Sequence, residues 1–174
     1  MSKQRELLPG IIASIAEWSP ECGVLLMGSL QGGWETPDSD IDLYVLTEDV
    51  HDKGPISWRL VHEERGMKLL EKVVSGITVH FVWWPIKAVE ESLTREPYVH
   101  YPFSQAEVLH DPLGVARHYR DMSARYFREH PEITSAWKTQ LERFRKSKFD
   151  PEVVLEFGEW GEFVRYLERE VVKQ

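Results

Sequence analysis

The segment that decides the fold of this chain is GSLQGGWETPDSDIDL, residues 28–43. It joins a glycine-rich turn to two acidic residues, Asp40 and Asp42, at the start of an apolar run. Because alternate residues of a strand share a face, this spacing predicts that both carboxylates point to one side while Ile41 and Leu43 enter a core. The segment therefore predicts a pair of carboxylates on one face of a strand, close to a tight turn.

The residue types of this segment predict a binding site for phosphate and a metal ion. Two hard oxygen ligands on one face suit Mg²⁺, or Mn²⁺, which bind carboxylates together with water and substrate phosphate. Gly28, Gly32 and Gly33 allow backbone N–H groups to approach phosphate oxygens closely, and Ser29 adds a hydroxyl donor. The preceding residues 24–27, VLLM, predict a short buried strand that runs into the turn.

Other glycine-rich or acidic motifs do not fit the spacing. An EF-hand loop requires glycine at the position of Leu43 and helices on both sides of the loop. Dinucleotide-binding and Walker motifs require Gly-x-Gly-x-x-Gly or a Gly-Lys-Ser/Thr ending, and the chain contains neither. The phosphate and metal interpretation is the one that the spacing favours.

The segment resembles the signature of the DNA polymerase beta-type nucleotidyltransferase superfamily. The matching positions are Gly28, Ser29, Gly33, Ser39, Asp40, Ile41, Asp42 and Leu43. A weaker resemblance lies in AEVLHDPLG, residues 106–114, where many members carry a short strand, an Asp-Pro-x-Gly turn and then a long helix.

This resemblance implies transfer of a nucleoside monophosphate from a nucleoside triphosphate, expected to be ATP, to a hydroxyl of a small molecule or a protein. Asp40 and Asp42 are implied to bind Mg²⁺ or Mn²⁺. The residues implied to bind the nucleotide are Gly28, Ser29, Gly33 and Ser39. Antibiotic nucleotidyltransferases and the minimal, protein-modifying enzymes of toxin–antitoxin systems resemble this layout. The alternative from another class is a catalytically silent nucleotide-binding or interaction module.

A third carboxylate, which the superfamily usually carries on a later strand, is missing from the best candidate strand, residues 77–84. Strand alternation places His80 on the active face, where that acid is expected. If Ser75 and Gly76 form a two-residue hairpin turn, Glu71 lies directly opposite His80 on the same face.

Three functional hypotheses follow for this pair. His80 acts as the general base and Glu71 orients it, or Glu71 supplies the missing carboxylate with His80 in support. In the third, the acid is lost and the protein binds nucleotide or a partner without efficient transfer. The non-functional alternative is a polar pair on a partly exposed hairpin. We favour retained activity, because clustered carboxylates cost stability and have little structural reason to persist.

The pattern along the chain predicts an α/β (α+β) fold. A small mixed β-sheet with helices on one face is expected over residues 1–112, followed by a helical region over residues 113–174. Residues 7–18 have the spacing of an amphipathic helix, and residues 68–74 and 77–83 predict a hairpin. Residues 57–63 fit either a strand or a short helix. Further helices are predicted over residues 86–95, 113–130, 132–146 and 151–172.

Composition narrows the functional classes. A formal net charge of −8, from 21 basic and 29 acidic residues, argues against a long nucleic-acid footprint. The chain has no apolar run long enough to cross a bilayer, and its polar start is not a secretory signal. The single Cys22 suits a reducing cytoplasm. We therefore expect a cytoplasmic protein without membrane or extended nucleic-acid partners; no oligomeric state is predicted.

Three other groups are weaker candidates for function. Trp83 and Trp84 would be placed to stack a base, although aromatic residues at a strand end more commonly form core. The Pro-flanked residues 98–101 are candidates for an acceptor pocket. The basic run RFRKSK, residues 143–148, most simply forms a solvated helix face, with contact to a triphosphate or an acidic partner as the alternative.

Overall fold

A six-stranded mixed sheet forms the centre of the molecule. The computed structural model describes residues 2–48, 58–64 and 66–172. The strands lie in the order β3-β4-β5-β2-β1-β6. Their bounds are β1 (Gly23–Met27), β2 (Ile41–Thr47), β3 (Arg59–Glu64), β4 (Met67–Val74), β5 (Ile77–Pro85) and β6 (Glu107–His110). Strands β2 and β5 are parallel, whereas the other neighbouring pairs are antiparallel.

Helices surround this sheet and make up most of the second half of the chain. They are α1 (Lys3–Trp18), α2 (Gly28–Gly32), α3 (Ile86–Arg95), α4 (Tyr101–Ser104), α5 (Val115–Glu129), α6 (Pro131–Phe149) and α7 (Trp160–Tyr166). A 3₁₀ turn, Pro97–Val99, precedes α4, and a π-helical turn, Leu167–Val171, follows α7. Among the described residues, no helix combines the length and the apolar character that a membrane crossing requires.

Helix α1 covers one face of the sheet. Its buried residues Leu8, Ile11 and Ile15 recur at helical spacing and pack onto the alternate, inward-facing residues of β1, β2 and β5. Fully burying one such side chain contributes about 1.5–3 kcal/mol. This face therefore supplies the main apolar core, as the alternation along each strand predicted.

Helices α3 and α5 pack on the opposite face. Val89 and Leu93 of α3 lie in one cluster with Leu25 and Trp84 of the sheet. Helix α5 approaches β1 so closely that a Cβ atom at Gly23 would lie 2.6 Å from Cβ of Ala116. The predicted mixed α+β fold is confirmed, and the structure adds helical cover on a second face of the sheet.

A third apolar cluster joins the C-terminal helices to α4. Its buried members are Tyr101, Phe127, Ile133, Trp137, Phe163 and Leu167. The indole of Trp137 donates a 2.7 Å hydrogen bond to the carbonyl of Tyr98, which ties α6 to the segment before α4. The helical character of the C-terminal region is confirmed, and the boundary between residues 112 and 113 stays a prediction.

The predicted hairpin of β4 and β5 is confirmed down to its register. Ser75 and Gly76 both have positive φ, 51° and 82°, which a two-residue hairpin turn of the type I′ kind requires at both positions. Val74 therefore pairs with Ile77, and Glu71 pairs with His80. The ambiguous segment before it forms strand β3 from Arg59 onward, and Ser57 lies outside the described residues.

The helix predicted over residues 151–172 is wrong in its first half. Residues 150–159 have no regular structure, and α7 begins only at Trp160, where Glu159 and Glu162 form a capping box. The irregular segment returns along α6, since Gln140 donates a hydrogen bond to the carbonyl of Phe157 and Arg143 pairs with Glu156. Tertiary contacts with α6 override the apolar spacing that predicted a helix there.

Candidate active site

The two predicted carboxylates lie on the face of the sheet opposite α1. Asp42 is the second residue of β2 and Asp40 immediately precedes the strand. Both side chains are 38% exposed, whereas their neighbours Ile41 and Leu43 are at most 1% exposed. The alternation that was predicted from sequence is therefore confirmed, and the strand delivers two carboxylates to one open surface.

His80 completes this surface from the neighbouring strand. Parallel pairing of β2 with β5 sets Asp42 beside His80 in register. His80 Nδ1 lies 3.2 Å from Asp40 Oδ2 and 3.3 Å from Asp42 Oδ1. One ligand atom from each of these three residues lies within 4.8 Å of the other two, the spacing of a metal-binding group in the described part of the chain.

Glu71 lies on the far side of His80 from the aspartates. Its Oε2 is 3.6 Å from His80 Nε2, and its Oε1 accepts a 2.7 Å hydrogen bond from Arg59. The hydrogen bond from Arg59 is the main reason why the pKa of Glu71 lies below its ordinary value, so the carboxylate stays ionised. The structure thus places His80 directly beside the aspartates and Glu71 on its far side, and the roles predicted for the two residues stay predictions.

The carboxylate pair is electrostatically unfavourable by itself. Burial raises the pKa of Asp42, and the negative charge of Asp40 raises it further, while His80 and Lys148 oppose the shift. Tyr44, two residues along the same face, is partly buried, and this burial raises its pKa to about 12. A cation held between the two aspartates would offset the repulsion that their proximity creates.

The turn between β1 and β2 brings backbone and hydroxyl donors to the aspartates. Gly28 has a φ of +70°, and a Cβ atom there would overlap Asp42 Oδ2, so only glycine lets the chain pass this closely. Ser29 is 4% exposed, and its hydroxyl has no hydrogen-bond partner among the described residues. A buried hydroxyl without a partner is costly, which makes an oxygen-rich ligand at this point favourable.

Helix α1 holds the connection between this turn and the aspartates in place. Gln4 is buried, and its amide donates hydrogen bonds to the carbonyls of Thr36 and Ser39 at 2.9 and 3.1 Å. Arg5 donates a 3.1 Å hydrogen bond to the carbonyl of Leu30 at the end of the glycine-rich segment. These two polar residues of α1 were missed by sequence analysis, since an amphipathic pattern does not show which loop a polar side chain will contact.

Ser39 and Gly33 have local structural partners. The hydroxyl of Ser39 is buried and accepts a 2.8 Å hydrogen bond from the backbone N–H of Thr36, which closes the turn before Asp40. Gly33 ends α2 in the left-handed conformation, with a φ of +71°. Neither residue lines the cleft around Asp40 and Asp42, and their predicted nucleotide contacts stay predictions.

A cleft of about 790 Å³ opens between this corner of the sheet and helix α6. One side is formed by Gly28, Ser29, Gln31 and Gly32 together with Asp40 and Asp42. The residues that α6 contributes are Lys138, Leu141, Glu142, Phe144, Arg145 and Lys148. The basic run predicted as a solvated face therefore reaches the cleft through Arg145 and Lys148.

Aromatic rings line the other side of this cleft. Trp34 packs edge-on against Phe144 with their ring centroids 6.4 Å apart, and the ammonium of Lys148 lies 4.9 Å from the Trp34 ring. A Cβ atom on Gly32 would overlap the indole of Trp34, so Gly32 makes room for this ring. Sequence analysis did not identify Trp34, because its only local signal was its place in the return loop.

The tryptophan pair and most of the Pro-flanked loop, two of the weaker candidate groups, do not line the cleft. Trp84 packs in the core with its ring 5.7 Å from Tyr44 and 5.6 Å from His100. His100 is largely buried, which lowers its pKa to about 4, and its Nε2 is 2.9 Å from the hydroxyl of Ser92. Of the Pro-flanked loop, only Tyr101 reaches the cleft, and it does so from a buried position.

A glycine–serine turn that borders two strand aspartates, on a mixed sheet of this order, defines a nucleotidyltransferase-type core. Residues 11–107 match the model of the nucleotidyltransferase domain family. This match spans more than half of the 174 residues, and the chain belongs to that family. No curated protein matches the chain.

Three solved structures illustrate the similarity of this chain to known proteins. A cytoplasmic RNA terminal U-transferase is 16% identical with a TM-score of 0.38, over 59% of this chain and 36% of that one. Cid1 poly(U) polymerase bound to MgATP is 16% identical with a TM-score of 0.37, over 58% and 39%. A nucleotidyltransferase-like protein from Exiguobacterium sibiricum is 15% identical with a TM-score of 0.45, over 82% and 47%. The matched region spans less than half of each of these chains.

Proposed function

We propose that this protein transfers a nucleoside monophosphate from a nucleoside triphosphate, ATP in the first instance, to a hydroxyl of a small molecule or a protein. Family membership supports nucleotidyl transfer in general. In this reaction the acceptor hydroxyl gives up its proton to a base or to water, and its oxygen forms a bond to the α-phosphorus. The bond between the α-phosphorus and the oxygen that bridges to the β-phosphate breaks, and pyrophosphate leaves.

The observation that carries the proposal is the cradle at the end of β1. The Ser29 hydroxyl, which has no hydrogen-bond partner in the described part of the chain, lies at one end of the cleft together with the closely passing Gly28 and the Asp42 carboxylate. Hydroxyl and backbone donors next to carboxylates suit a phosphate that shares a divalent cation with the protein. These residues fit the group that the family implies.

The chain's own residues divide the work of binding. Asp40 and Asp42 would hold Mg²⁺ or Mn²⁺, which when bound neutralises charge on the phosphates and polarises the reacting phosphorus. Lys148 lies close enough to Asp42 to lower its pKa, so its positive charge also attracts an anion at this end of the cleft. Trp34 offers an aromatic surface beside it for the nucleoside.

The acceptor is the open part of the proposal. A small molecule or a protein fits the acidic net charge of −8. Two of the similar structures are an RNA terminal U-transferase and a poly(U) polymerase by name, so the predicted absence of an extended nucleic-acid partner lacks support. RNA therefore belongs in the acceptor panel.

One observation favours a second candidate, a nucleotide-binding module without efficient transfer. Across the described residues, the acidic pair Asp40 and Asp42 is accompanied by His80 where a third carboxylate is expected. A site that keeps its phosphate cradle and loses proton acceptance or metal affinity would bind nucleotide and turn over slowly.

Calorimetry with each nucleoside triphosphate, in Mg²⁺, in Mn²⁺ and in EDTA, tests the binding site. We expect metal-dependent binding that is lost in Asp42→Asn and kept in Glu63→Gln, a matched neutralisation of an exposed acid on β3. Nucleotides labelled at the α-phosphate then report transfer to aminoglycosides and other small alcohols, to co-purified proteins and to RNA. Metal-independent binding, or no binding, contradicts the proposal, whereas binding without label on any acceptor selects the silent module.

A further inference from the structure

We infer that His80 is a metal ligand through Nδ1, and that the resulting Asp₂His set selects a divalent transition-metal ion, such as Mn²⁺ or Co²⁺, over Mg²⁺. This inference rests on the proposed function, since the ion would serve the same phosphate site. It narrows the choice of metal and gives His80 a role other than proton transfer.

The first support is the convergence of three donor atoms. His80 Nδ1 lies 3.2 and 3.3 Å from one oxygen of each aspartate, so all three atoms border the same small volume. Oxygen and nitrogen ligands of one ion, each about 2.0–2.2 Å from it, are separated by about 3 Å when they lie at right angles around it. A cation at the centre of this group needs only small side-chain adjustments.

The sheet, rather than a mobile loop, holds this arrangement. Asp42 and His80 are register partners on parallel strands, and the buried residues on either side of each anchor the strand in the core. Sites carried on such rigid elements keep their ligand geometry better than sites on loops. Asp40, the residue before β2, is held through the turn that Ser39 closes.

Glu71 and Arg59 lie on the Nε2 side of the His80 ring, away from the aspartates. Without an ion, His80 Nδ1 lies within hydrogen-bond distance of Asp42 Oδ1, at 3.3 Å, so a proton on Nδ1 would be shared with the carboxylates. A cation bound between them would take the place of that proton, and Glu71 Oε2, 3.6 Å from Nε2, would then face the remaining ring proton on Nε2. Metal-binding histidines generally direct their second ring nitrogen to such a carboxylate or to a carbonyl. The Nδ1 lone pair then points to the carboxylate pair and is free to bind a cation.

One lone pair cannot bind a metal ion and accept a proton at the same time. When the site is loaded, Nδ1 is occupied and Nε2 carries the proton that faces Glu71, so His80 is not the general base. Glu71 becomes a positioning residue that acts through His80, and Arg59 holds Glu71 in turn with its 2.7 Å hydrogen bond. This arrangement accounts for a hairpin that places an ionised Glu71 beside a histidine.

The identity of the donor atoms sets the metal preference. Mg²⁺ prefers oxygen ligands in near-ideal octahedral geometry, whereas imidazole nitrogen binds Mn²⁺ more weakly than Co²⁺, and Co²⁺ more weakly than Ni²⁺. Exchanging a carboxylate for an imidazole therefore weakens Mg²⁺ binding more than it weakens Co²⁺ binding. The ratio of the two affinities is the quantity that His80 controls.

Pulsed electron paramagnetic resonance on the Mn²⁺-loaded protein, without nucleotide, tests the ligand directly. We expect a ¹⁴N coupling from one imidazole in the native protein and in His62→Gln, which removes an exposed histidine from β3. The coupling should vanish in His80→Asp. A native spectrum without this coupling, or a coupling that survives in His80→Asp, overturns the inference.

Calorimetry with metal alone supplies the second measurement. We expect Co²⁺ to bind native protein at least 100-fold more tightly than Mg²⁺, and His80→Asp to reduce this ratio at least tenfold; an unchanged ratio overturns the inference. If His80→Asp fails to fold, the native ¹⁴N coupling decides alone. If the ¹⁴N coupling is present but the protein binds no nucleotide, the proposed function is rejected and His80 is still a metal ligand. If the protein binds nucleotide but shows no coupling, the inference about His80 is rejected and the proposed function stands.

Discussion

The two faces of the central strand pair, β2 and β5, differ sharply although their residues alternate along the same backbone. The inward side chains are at most 1% exposed and belong to Ile41, Leu43, Val45, Val79, Phe81 and Trp83. On the other face, Asp42 is 38% exposed and His80 is 30% exposed. One residue of sequence separates an apolar core from a polar site.

This difference shows how the fold accommodates an unfavourable charge cluster. Two neighbouring carboxylates repel one another, and partial burial adds a desolvation cost. Burial of the apolar face stabilises the strand pair, so the open face can carry charged residues that serve binding rather than stability. If the two faces are independent, substitutions in the apolar core of the closed face alter stability and leave binding intact, whereas substitutions of the charged residues on the open face alter binding and leave stability intact.

The largest expected effect is on the closed face. Phe81→Ala should lower the free energy of unfolding by about 3–5 kcal/mol, because it removes a fully buried ring and leaves a cavity. Val82→Ala, the next residue and on the open face, should lower it by less than half as much. Denaturant unfolding measures both. Loss of metal binding in folded Phe81→Ala would show that the two faces are coupled.

The next effect concerns the apolar end of the open face, where His100 lies against Trp84. Burial lowers the pKa of His100 to about 4 from 6.5, so between these values the unfolded chain takes up the proton first. Stability is therefore full above pH 6.5 and falls as the pH drops toward 4, by about 3 kcal/mol in total. His100→Gln should remove this part of the acid sensitivity.

Unfolding curves of both proteins from pH 7.5 to 4 measure the difference in slope, which isolates His100 from other titrating groups. Equal slopes would mean that water reaches His100 in the native state. Solvent would then reach the open face along its whole length, including the end that α3 and α4 cover.

A smaller free-energy change is expected at the polar end of the same face. Asp42→Asn should weaken metal-dependent nucleotide binding at least 100-fold, equivalent to about 2.7 kcal/mol. The unfolding free energy should stay equal or rise, because burial and Asp40 both disfavour the Asp42 carboxylate in the metal-free protein. Calorimetry and denaturant unfolding on the same samples give the two values. A clear loss of stability would identify Asp42 as a structural acid instead.

The closed face and the hairpin were predictable because they depend on local rules. Period-two alternation assigned Ile41 to the core and Asp42 to the open face. The short turn at Ser75 and Gly76 left a single register, which brought Glu71 opposite His80. The close contact of His80 with the aspartates depends on the parallel pairing of β2 with β5, and residue spacing does not reveal which strands become neighbours.

The contribution of α6 to the cleft could not be predicted from the sequence, for a similar reason. Helical spacing correctly predicted a helix there, but not that Lys148 would stand over Trp34, more than one hundred residues earlier in the chain. Residues 151–159 were wrongly predicted as helix, because their contacts with α6 outweigh local propensity. Ser39 was assigned to nucleotide binding because it occupies a position of the family motif. In the structure its hydroxyl accepts a hydrogen bond from the backbone of its own turn, which the motif did not predict.

The last comparison uses a pair of glycines to separate backbone strain from site geometry. Gly28 and Gly33 have φ values of +70° and +71°, so alanine at either position should cost about 1–2 kcal/mol of unfolding free energy. At Gly33 no atom lies within 4 Å of the added Cβ, and metal-dependent nucleotide binding should persist. At Gly28 the Cβ overlaps Asp42 Oδ2, and binding should be lost. Equal loss of binding in both variants would mean that turn conformation, rather than close passage by Asp42, makes the cradle.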